Sequence, residues 1–511
     1  MGAVARLEGG LRLAVIGQVE PGCLNSSGEA PMRHETHALV IGGSLAGLLV
    51  SRSLVNHFDH VTLVERDLYP DQPAPRKGLP HSRFPHSLML RGQQILEQFF
   101  PGLQADLVAE GAIVVDSLQD MAFLTAAGWT TRCASDLQLF TCSRDLLDWG
   151  IRRRLAAFSK VQFLQGASVT GLLTDTEHTK IVGVSLHRHA GASSQATESL
   201  YADLIVDASG KASRAPQWLS ALGYEPPPET EVDAFVGYVA RIYQPPADLV
   251  VDWKMLFVPS APPQRQRGGV IFPIEGDRSD PHSRRWIVSL VGGDRDYPPT
   301  DEAGFLAFAR SLPTPILAEV IEQGIPLTPI YAHYGNENRL RDYAHRSHAP
   351  AHFIVVGHAG CSLNPTYGQA MTVAALEAVL LDKFFQHHGI KQLEHHTRHL
   401  QQQLAKAHQE AWLVATGADY RYRNTQGKPI NAVTGFLNWY WDQVLELIVD
   451  RARVYRTFME VLHLLKPSIA LFQPYILGQV VWRYFNKRLS WYKGKEVPDG
   501  LKNPAPHSLG L

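Results

Sequence analysis

The chain has 511 residues, of which 45% are hydrophobic and 19% are charged, a balance typical of a folded protein with two or three domains. Its 48 Lys and Arg residues offset 49 Asp and Glu residues, and the net charge of −1 excludes a large nucleic-acid-binding surface. The four cysteines form no CxxC pair, so we expect free thiols in a reducing cytoplasm. The 23 histidines show no metal-ligand spacing, and we expect no metal site.

The first 35 residues are rich in Gly and Ser and lack the apolar run and cleavage site of a signal peptide. We expect them to form a disordered leader, and Met32 competes with Met1 as the first translated residue. A transmembrane helix needs ~18 uncharged apolar residues. The best candidate, residues 458–485, is interrupted by a lysine and two prolines, so we expect no membrane-spanning helix.

Residues 37–65 predict a βαβ unit, with a buried parallel strand, a glycine-rich turn, a helix over 48–55 and a second strand over 61–65. Glu65 lies 23 positions after Gly42, where a carboxylate binds ribose hydroxyls, and the helix N-terminus offers N–H groups to a pyrophosphate. A serine replaces the middle glycine of the GxGxxG pattern, and Glu65-Arg66 favours the adenosine half of FAD over NAD. The predicted dinucleotide-binding residues are Gly42, Gly43, Ser44, Ala46, Gly47, Glu65 and Arg66.

Four further segments carry a resemblance to known flavoproteins. They read PRKGLPHSRFPH followed by RG (75–92), CSRDLLDW (142–149), ADLIVDASGKAS (202–213) and VGHAGCSLNPTYGQAM (356–371). From about residue 36 to residue 420, their order and spacing resemble the FAD-dependent family that includes para-hydroxybenzoate hydroxylase. The resemblance is closer to squalene-epoxidase-like enzymes, especially bacterial polyether epoxidases of the lasalocid type.

The resemblance implies an α/β fold in which a Rossmann-like FAD-binding domain carries an inserted antiparallel-sheet substrate domain and a C-terminal helical region. The FAD-binding domain would be discontinuous, over 36–215 and 336–400, with the substrate-binding sheet at 216–335. Apolar, alternating strand patterns in the inserted part suit a hydrophobic substrate. The remaining 401–511 is rich in aromatic and basic residues, which fits either a helical lid or a face for weak contact with a membrane surface.

Four arginines are candidates for a place beside the cofactor. Arg144 opens a predicted helix, and the resemblance places it near the FAD pyrophosphate, because a guanidinium forks well onto phosphate oxygens. Arg91 resembles a family position near the flavin, and Arg76 and Arg83 are alternatives for that role.

The fourth segment carries most of the implied flavin contacts. Gly357 would approach the ribityl chain, and His358 stands where the family has an aspartate that accepts a ribityl hydroxyl proton, so we expect weaker FAD binding than in relatives. The loop ending at Gly368 feeds a predicted helix over 369–385, whose N-terminus would face the flavin. The implied flavin-contacting residues are Gly357, His358, Pro365, Gly368, Gln369 and Ala370, and those implied to position oxygen or substrate are Tyr367 and Asn364.

The third segment leaves the electron donor open. Hydroxylases of the family have an Asp-Gly turn that is often linked to NAD(P)H use, whereas this chain has Ser209-Gly210 preceded by Asp207, as in geranylgeranyl-reductase-like and halogenase-like relatives. We expect Asp207 to support the turn without touching substrate. The donor is expected to be NAD(P)H, and a separate flavin reductase is an alternative.

The resemblance implies an FAD-dependent monooxygenase of secondary metabolism, which epoxidises or hydroxylates a hydrophobic natural-product intermediate with O₂ through a C4a-peroxyflavin. An alternative is an FAD-dependent reductase or cyclase of the geranylgeranyl-reductase-like type, without oxygen insertion. A third hypothesis is a non-catalytic descendant that has lost FAD. The Trp-x-Trp-x-Ile-Pro motif of flavin halogenases is absent from the sequence.

Overall fold

The computed structural model describes residues 35–189, 197–277, 280, 283–346, 348–427 and 432–492, and for 432 and 487–492 it describes the backbone only. The expected leader lies outside the described residues except for Glu35, and so do residues 493–511 of the expected helical region. The residues from Thr36 onwards belong to one compact unit.

The structure has the following strands: β1 (His37–Ile41), β2 (His60–Glu65), β3 (Ile113–Asp116), β4 (Met121–Thr125), β5 (Gly128–Trp129), β6 (Gln138–Thr141), β7 (Val161–Gln165), β8 (Ala167–Thr174), β9 (Ile181–Arg188), β10 (Glu198–Tyr201), β11 (Leu204–Asp207), β12 (Glu229–Val232), β13 (Gly237–Gln244), β14 (Met255–Val258), β15 (Arg267–Ile274), β16 (Arg285–Gly292), β17 (Ile325–Pro326), β18 (Tyr331–His333), β19 (Asn338–Arg341), β20 (Phe353–Val355) and β21 (Cys361–Ser362). The α-helices are α1 (Leu45–Leu54), α2 (Leu90–Phe99), α3 (Leu103–Ala109), α4 (Arg144–Leu155), α5 (Ala215–Ala221), α6 (Glu302–Arg310), α7 (Ile316–Gln323), α8 (Ala370–His388), α9 (Leu393–Asp419), α10 (Ala432–Leu447), α11 (Ala452–Leu462) and α12 (Pro474–Tyr492).

A parallel sheet in the order β20-β11-β1-β2-β7 forms the centre of the fold. Strand β1 lies between β11 and β2, with Val40 opposite Val206 and Leu63. These three side chains are fully buried, as expected of a parallel sheet covered on both faces. The carboxyl ends of β1, β2, β11 and β20 share one edge, where ligands bind in open α/β sheets. The predicted βαβ unit is confirmed, although its helix begins at Leu45 instead of residue 48.

A second sheet of eight strands has the order β17-β13-β16-β15-β14-β4-β5, with β18 paired to β13. It contains the expected substrate-region strands, which are antiparallel to one another. It also recruits β4 and β5 from the part of the chain expected to belong to the FAD-binding domain. Strand β4 pairs in parallel with β14, with Met121 opposite Met255, so this edge of the sheet is covered by a strand that comes from another part of the sequence.

The helices surround the two sheets. Helix α8 packs along α1 beside the central sheet, and α6 and α7 pack on the second sheet through residues such as Phe305 and Leu317. Helix α9 has 27 residues and begins at Leu393, before the expected boundary at 401. Among the helices of the described residues, none combines the length and apolar character needed to cross a membrane. The expected fold class is confirmed: α/β with a Rossmann-like parallel sheet, an antiparallel sheet and C-terminal helices.

Candidate functional site

A cavity of about 1740 Å³ extends from the carboxyl edge of the central sheet to the C-terminal helices. It is lined by the β1–α1 turn, by parts of 76–89, 208–214 and 357–371, by strands β13–β16 and by helices α9–α11. Single small-molecule sites usually occupy about 300–1,000 Å³. The cavity therefore has room for a large cofactor together with a second molecule.

The β1–α1 turn forms the tightest part of the cavity wall. Gly42 has a φ of +99°, and a Cβ atom there would lie 2.7 Å from the carbonyl oxygen of Ala208. A Cβ on Gly47 would lie 1.8 Å from the carbonyl oxygen of Gly42, so the helix can approach the turn only without a side chain there. Gly42, Gly43, Ser44 and Ala46 line the cavity. Gly47 packs behind them.

The carboxylate of Glu65 is held at the end of β2. One oxygen accepts the backbone N–H of Gly43 at 2.8 Å, and the other accepts that of Asp67 at 2.9 Å. The guanidinium of Arg76 lies 3.4 Å from the same carboxylate. Glu65, Arg66 and Arg76 all line the cavity. The first two were predicted to bind a dinucleotide, and Arg76 was an alternative for the arginine near the flavin.

Arg144 connects the β1–α1 turn to the first turn of α8. Its side chain is 4% exposed, and its Nη2 donates to Ser44 Oγ at 3.0 Å while its Nε donates to Asp148 at 2.7 Å. Its Nη1 lies 3.0 Å from the sulfur of Met371. The serine that replaces the middle glycine therefore positions the arginine that was predicted to meet a pyrophosphate.

Arg91 is not brought to this site. Its guanidinium donates to Gln94 one turn further along α2, at 3.3 Å, and its side chain is not part of the cavity lining formed by the described residues. The backbone of Arg91 donates instead to the carbonyl of His463. Arg83 is exposed and stacks over the ring of Tyr331, 4.4 Å from its centroid. Of the two alternatives, the structure brings Arg76 to the cavity.

The segment after β20 is fixed by buried charges from two helices. The backbone N–H of Gly357 donates to Glu377 of α8 at 2.8 Å, and the other oxygen of Glu377 lies 2.6 Å from His408 Nε2 of α9. Burial lowers the pKa of His408, but the Glu377 carboxylate and the neighbouring Cys361 together outweigh burial and raise the pKa to about 10. His408 is therefore charged at neutral pH, and the ion pair holds the turn at Gly357.

His358 follows this turn and lines the cavity. Burial, and then the charges of Lys211 and Arg144, lower its pKa to about 4, so the imidazole is neutral at neutral pH. Its Nε2 is buried without a hydrogen-bond partner among the described residues. The same holds for Nδ1 of His81 and Oε1 of Gln369, which also line the cavity. Buried polar atoms in native proteins almost always have a partner, so this wall fits a ligand with several polar groups, as FAD has.

The loop over 363–369, which precedes α8, is anchored by Asp419 at the end of α9. Its carboxylate accepts hydrogen bonds from the hydroxyl of Tyr367 at 2.6 Å, from Nδ2 of Asn338 at 2.5 Å and from Nδ2 of Asn364 at 3.1 Å. Asp419 is fully buried, and burial raises its pKa to about 6 against the opposing effect of these donors. The ring of Tyr367 lines the cavity.

Asn364 was predicted to position oxygen or substrate, but its side chain is 2% exposed and is absent from the cavity lining of the described residues. Its amide is turned to Asp419, and its Oδ1 accepts the N–H and hydroxyl of Thr366. We assign it to holding the loop. Pro365, Gly368, Gln369 and Ala370 line the cavity as expected, with Ala370 as the first residue of α8.

Asp207 supports its turn, as expected. It is fully buried and accepts the backbone N–H and the hydroxyl of Ser209 and the hydroxyl of Ser213. The next residues, Ser209 to Ala212, line the cavity, and Lys211 lies 2.8 Å from Glu337.

Sequence analysis missed a further group of residues at the Glu65 end of the cavity. Residues 167–170 line it because Gln165 of β7 pairs with Glu65 of β2, which brings the following strand alongside. Trp218 also lines the cavity, and its Nε1 has no partner among the described residues. The strand pattern after β7 is the sequence signal that could have indicated the first group, whereas nothing in the local pattern marks Trp218.

Comparisons with known proteins agree with this geometry. No family model matches the chain. The protein Rv3254 of Mycobacterium tuberculosis (strain ATCC 25618 / H37Rv) is 31% identical over 401 residues, which cover 77% of this chain and 82% of that protein.

Several solved structures share the fold. The flavin-dependent brominase Bmp2 superposes with a TM-score of 0.59 and 15% identity over 88% of this chain and 100% of its own. A flavoprotein/dehydrogenase from Cytophaga hutchinsonii superposes with a TM-score of 0.60 and 15% identity, over 90% of this chain and 100% of its own. PqsL of Pseudomonas aeruginosa, a probable FAD-dependent monooxygenase, superposes with a TM-score of 0.54 and 14% identity, over 83% of this chain and 100% of its own. At these identities the likeness shows a common fold.

Proposed function

The chain belongs to the family of the mycobacterial protein Rv3254, and from that fold and this cavity we propose that it is an FAD-dependent monooxygenase acting on a hydrophobic molecule. The proposed reaction is the epoxidation or hydroxylation of a natural-product intermediate with O₂, with NAD(P)H as electron donor, either directly or through a separate flavin reductase. The single observation that carries the proposal is that Arg144, Ser44 and Glu65 line the same cavity as His358 and Gln369, whose buried polar atoms have no partner among the described residues.

The residues that would hold FAD follow from their chemistry. The β1–α1 turn presents backbone N–H groups and the positive end of a helix dipole to a pyrophosphate, with Arg144 beside it. Glu65 offers acceptors to ribose hydroxyls. The neutral imidazole of His358 and the amide of Gln369 offer partners to the ribityl chain and the flavin ring.

FAD, when bound, supplies the redox chemistry and the site at which O₂ is activated. The chain's own residues bind, orient and exclude water. Helix α8 begins at Ala370, directly after the loop that is implied to contact the flavin, so its N-terminus would stabilise negative charge on a flavin bound there. Apolar side chains of the second sheet and of α10 and α11, such as Phe257, Phe272, Trp441 and Phe458, line much of the remaining cavity and suit a hydrophobic substrate.

The reductase or cyclase alternative has less support than it had from the sequence. Its main argument was the Asp207-containing turn, and the carboxylate of Asp207 is occupied by Ser209 and Ser213. The turn therefore has a structural explanation that favours neither reaction.

The test uses the purified full-length protein. A yellow protein that releases FAD on denaturation, oxidises NADPH and consumes O₂ when a lipophilic extract is added supports the proposal. Flavin that is reduced by NADPH or by an added flavin reductase, without any O₂-dependent product, supports the reductive alternative instead. A protein that binds no FAD at micromolar concentrations contradicts both.

A further inference from the structure

We propose that His463 and Ser117 form a polar subsite in the apolar part of the cavity, which binds an O–H or N–H group of the substrate. The inference deepens the proposed function and rests on it in one respect, since it assumes that the second occupant of the cavity is a lipophilic molecule. It concerns residues far along the chain from the predicted cofactor contacts.

The two residues come from different parts of the chain. Ser117 directly follows β3, and His463 directly follows α11. Both line the cavity and both are nearly inaccessible, at 1% and 3% exposed. Their neighbours on the same elements, Val115, Met459 and Leu462, are apolar and also line the cavity. A polar pair in such surroundings is the feature that orients a ligand in a mainly hydrophobic pocket.

We assign the proton of the neutral His463 ring from the hydrogen bonds of Ser117. The Ser117 hydroxyl donates to the carbonyl of Leu137 at 2.8 Å, and its single proton is thereby used. Ser117 Oγ also lies 2.9 Å from His463 Nε2, and in that contact it accepts. Nε2 therefore carries the proton of the neutral ring, and Nδ1 presents a lone pair.

That lone pair has no partner. Nδ1 of His463 is buried and makes no hydrogen bond to any described residue. Burial lowers the pKa of His463 to about 4, so the ring remains neutral, and Nδ1 remains an acceptor, throughout the neutral range. The backbone is held as well, because the N–H of Arg91 donates to the His463 carbonyl at 3.2 Å.

The chemistry of the ligand group follows. An alcohol, a phenol or an amide N–H can donate to Nδ1, whereas an ether cannot, and an ionised carboxylate would place acceptors against a lone pair. The substrate is therefore a lipophilic molecule that carries at least one neutral hydrogen-bond donor. Leaving Nδ1 unsatisfied is unfavourable in an apolar environment, so donor binding should be selective.

The experiment compares two probes that differ only in this donor: anthracene-9-methanol and its methyl ether. Equilibrium dialysis against the purified holoprotein gives both dissociation constants. We expect the alcohol to bind about fivefold more tightly than the ether, which is the ratio of dissociation constants that the net free energy of one hydrogen bond produces. His463→Leu should bind both probes equally. A wild-type protein without this preference, including one that binds neither probe, overturns the proposal, and so does a preference that His463→Leu retains.

Two further variants guard against a folding artefact. Ser117→Ala removes the oxygen that accepts from His463 Nε2, so the preference for the alcohol over the ether should fall. The Leu137 carbonyl still accepts the backbone N–H of residue 117. Met459→Leu changes an apolar neighbour and should keep the ratio. The visible spectrum of the same samples reports bound FAD. Colourless wild-type protein that prefers the alcohol refutes the flavin proposal alone, whereas yellow protein without the preference refutes the subsite alone.

Discussion

His408 and Glu377 form an ion pair 2.6 Å apart that is closed to solvent, with side chains 4% and 0% exposed. Glu377 uses its second oxygen to hold the backbone N–H of Gly357. One buried pair thus connects two helices to the turn that precedes His358. The attraction between the two charges offsets the free-energy cost of burying them only while both partners are present.

We expect His408→Leu to destabilise the protein by about 3–5 kcal/mol, because it leaves the Glu377 carboxylate buried without a counter-charge. Urea unfolding followed by fluorescence measures the change. His399→Leu, an exposed position on the same helix, is the matched control and should stay within about 0.5 kcal/mol of wild type. Equal effects of the two substitutions would show that the pair is not stabilising.

The pair also gives the protein a specific pH dependence. The pKa of His408 is raised to about 10 in the folded state, compared with ~6.5 when unfolded. Its contribution is complete below pH ~6.5 and is lost as the pH rises through about 10. The difference in unfolding free energy between wild type and His408→Gln should therefore shrink between these pH values. A constant difference would contradict the raised pKa.

FAD affinity should depend on pH in a way that reflects burial of His358. An unperturbed histidine, with a pKa of ~6.5, would turn from acceptor to donor between pH 8 and pH 5.5. Because burial lowers the pKa of His358 to about 4, we expect His358 itself to cause no change in the FAD dissociation constant in that range and to weaken binding only near pH 4. Asp419 has a pKa of about 6, so fluorescence titrations of the wild-type and His358→Asp apoproteins are compared, and a decline near pH 6.5 that the substitution removes would contradict the prediction.

His358→Asp should tighten FAD binding roughly ten- to hundredfold, because a charged acceptor replaces a neutral one beside Lys211 and Arg144. The measurement is the FAD dissociation constant at pH 7. His60→Asp, on an exposed position at the start of β2, controls for the added negative charge. If both variants bind FAD as wild type does, residue 358 does not contact the ribityl chain.

Arg144 and Arg91 offer a matched comparison of two arginines. We expect Arg144→Gln to weaken FAD binding by at least tenfold, since it removes the charge that is proposed to bind the pyrophosphate. Arg91→Gln should change it by less than twofold, because the Arg91 guanidinium faces Gln94. Dissociation constants measured side by side decide the assignment, and the reverse order of effects would restore Arg91 to the flavin site.

Gly47→Val should abolish FAD binding and destabilise the protein by about 3 kcal/mol or more, since even its Cβ would lie 1.8 Å from the Gly42 carbonyl oxygen. Thermal unfolding and the yield of yellow protein report both effects. Gly435→Ala is the control: it lies in α10 with nothing within 4 Å of its Cβ, and it should stabilise by about 0.5–1 kcal/mol. Fully yellow Gly47→Val protein would contradict the placement of the turn.

The sequence alone predicted those parts of the candidate site that depend on local backbone pattern. The turn from Gly42 to Gly47, the carboxylate of Glu65 and the helix start at Arg144 were predicted because strand, turn and helix signals lie within a few residues of one another. The direction of an isolated side chain was less predictable. Arg91 and Asn364 are turned away by partners, Gln94 and Asp419, that only the folded chain brings near.

Buried charges on long helices were also beyond sequence reasoning. His408 occurs in a segment rich in polar residues, where the pattern favours exposure, and Asp419 is a lone carboxylate at the end of the apolar and small residues 411–418. Their burial arises because α9 lies against the strand and loop that carry the implied flavin contacts. His463 was missed as well. It directly follows α11, and its apolar neighbours in the sequence give no local sign that it belongs to a polar pair.

The position of α9 bears on how this protein can be recombined with relatives. His408 and Asp419 both lie beyond residue 400, where the sequence had placed the end of the FAD-binding part. A chimaera joined at 400 would inherit a foreign helix beneath Gly357 and Tyr367, and Glu377 would lose its counter-ion. A junction after Tyr420, the first residue beyond α9, keeps both anchors with the parental half.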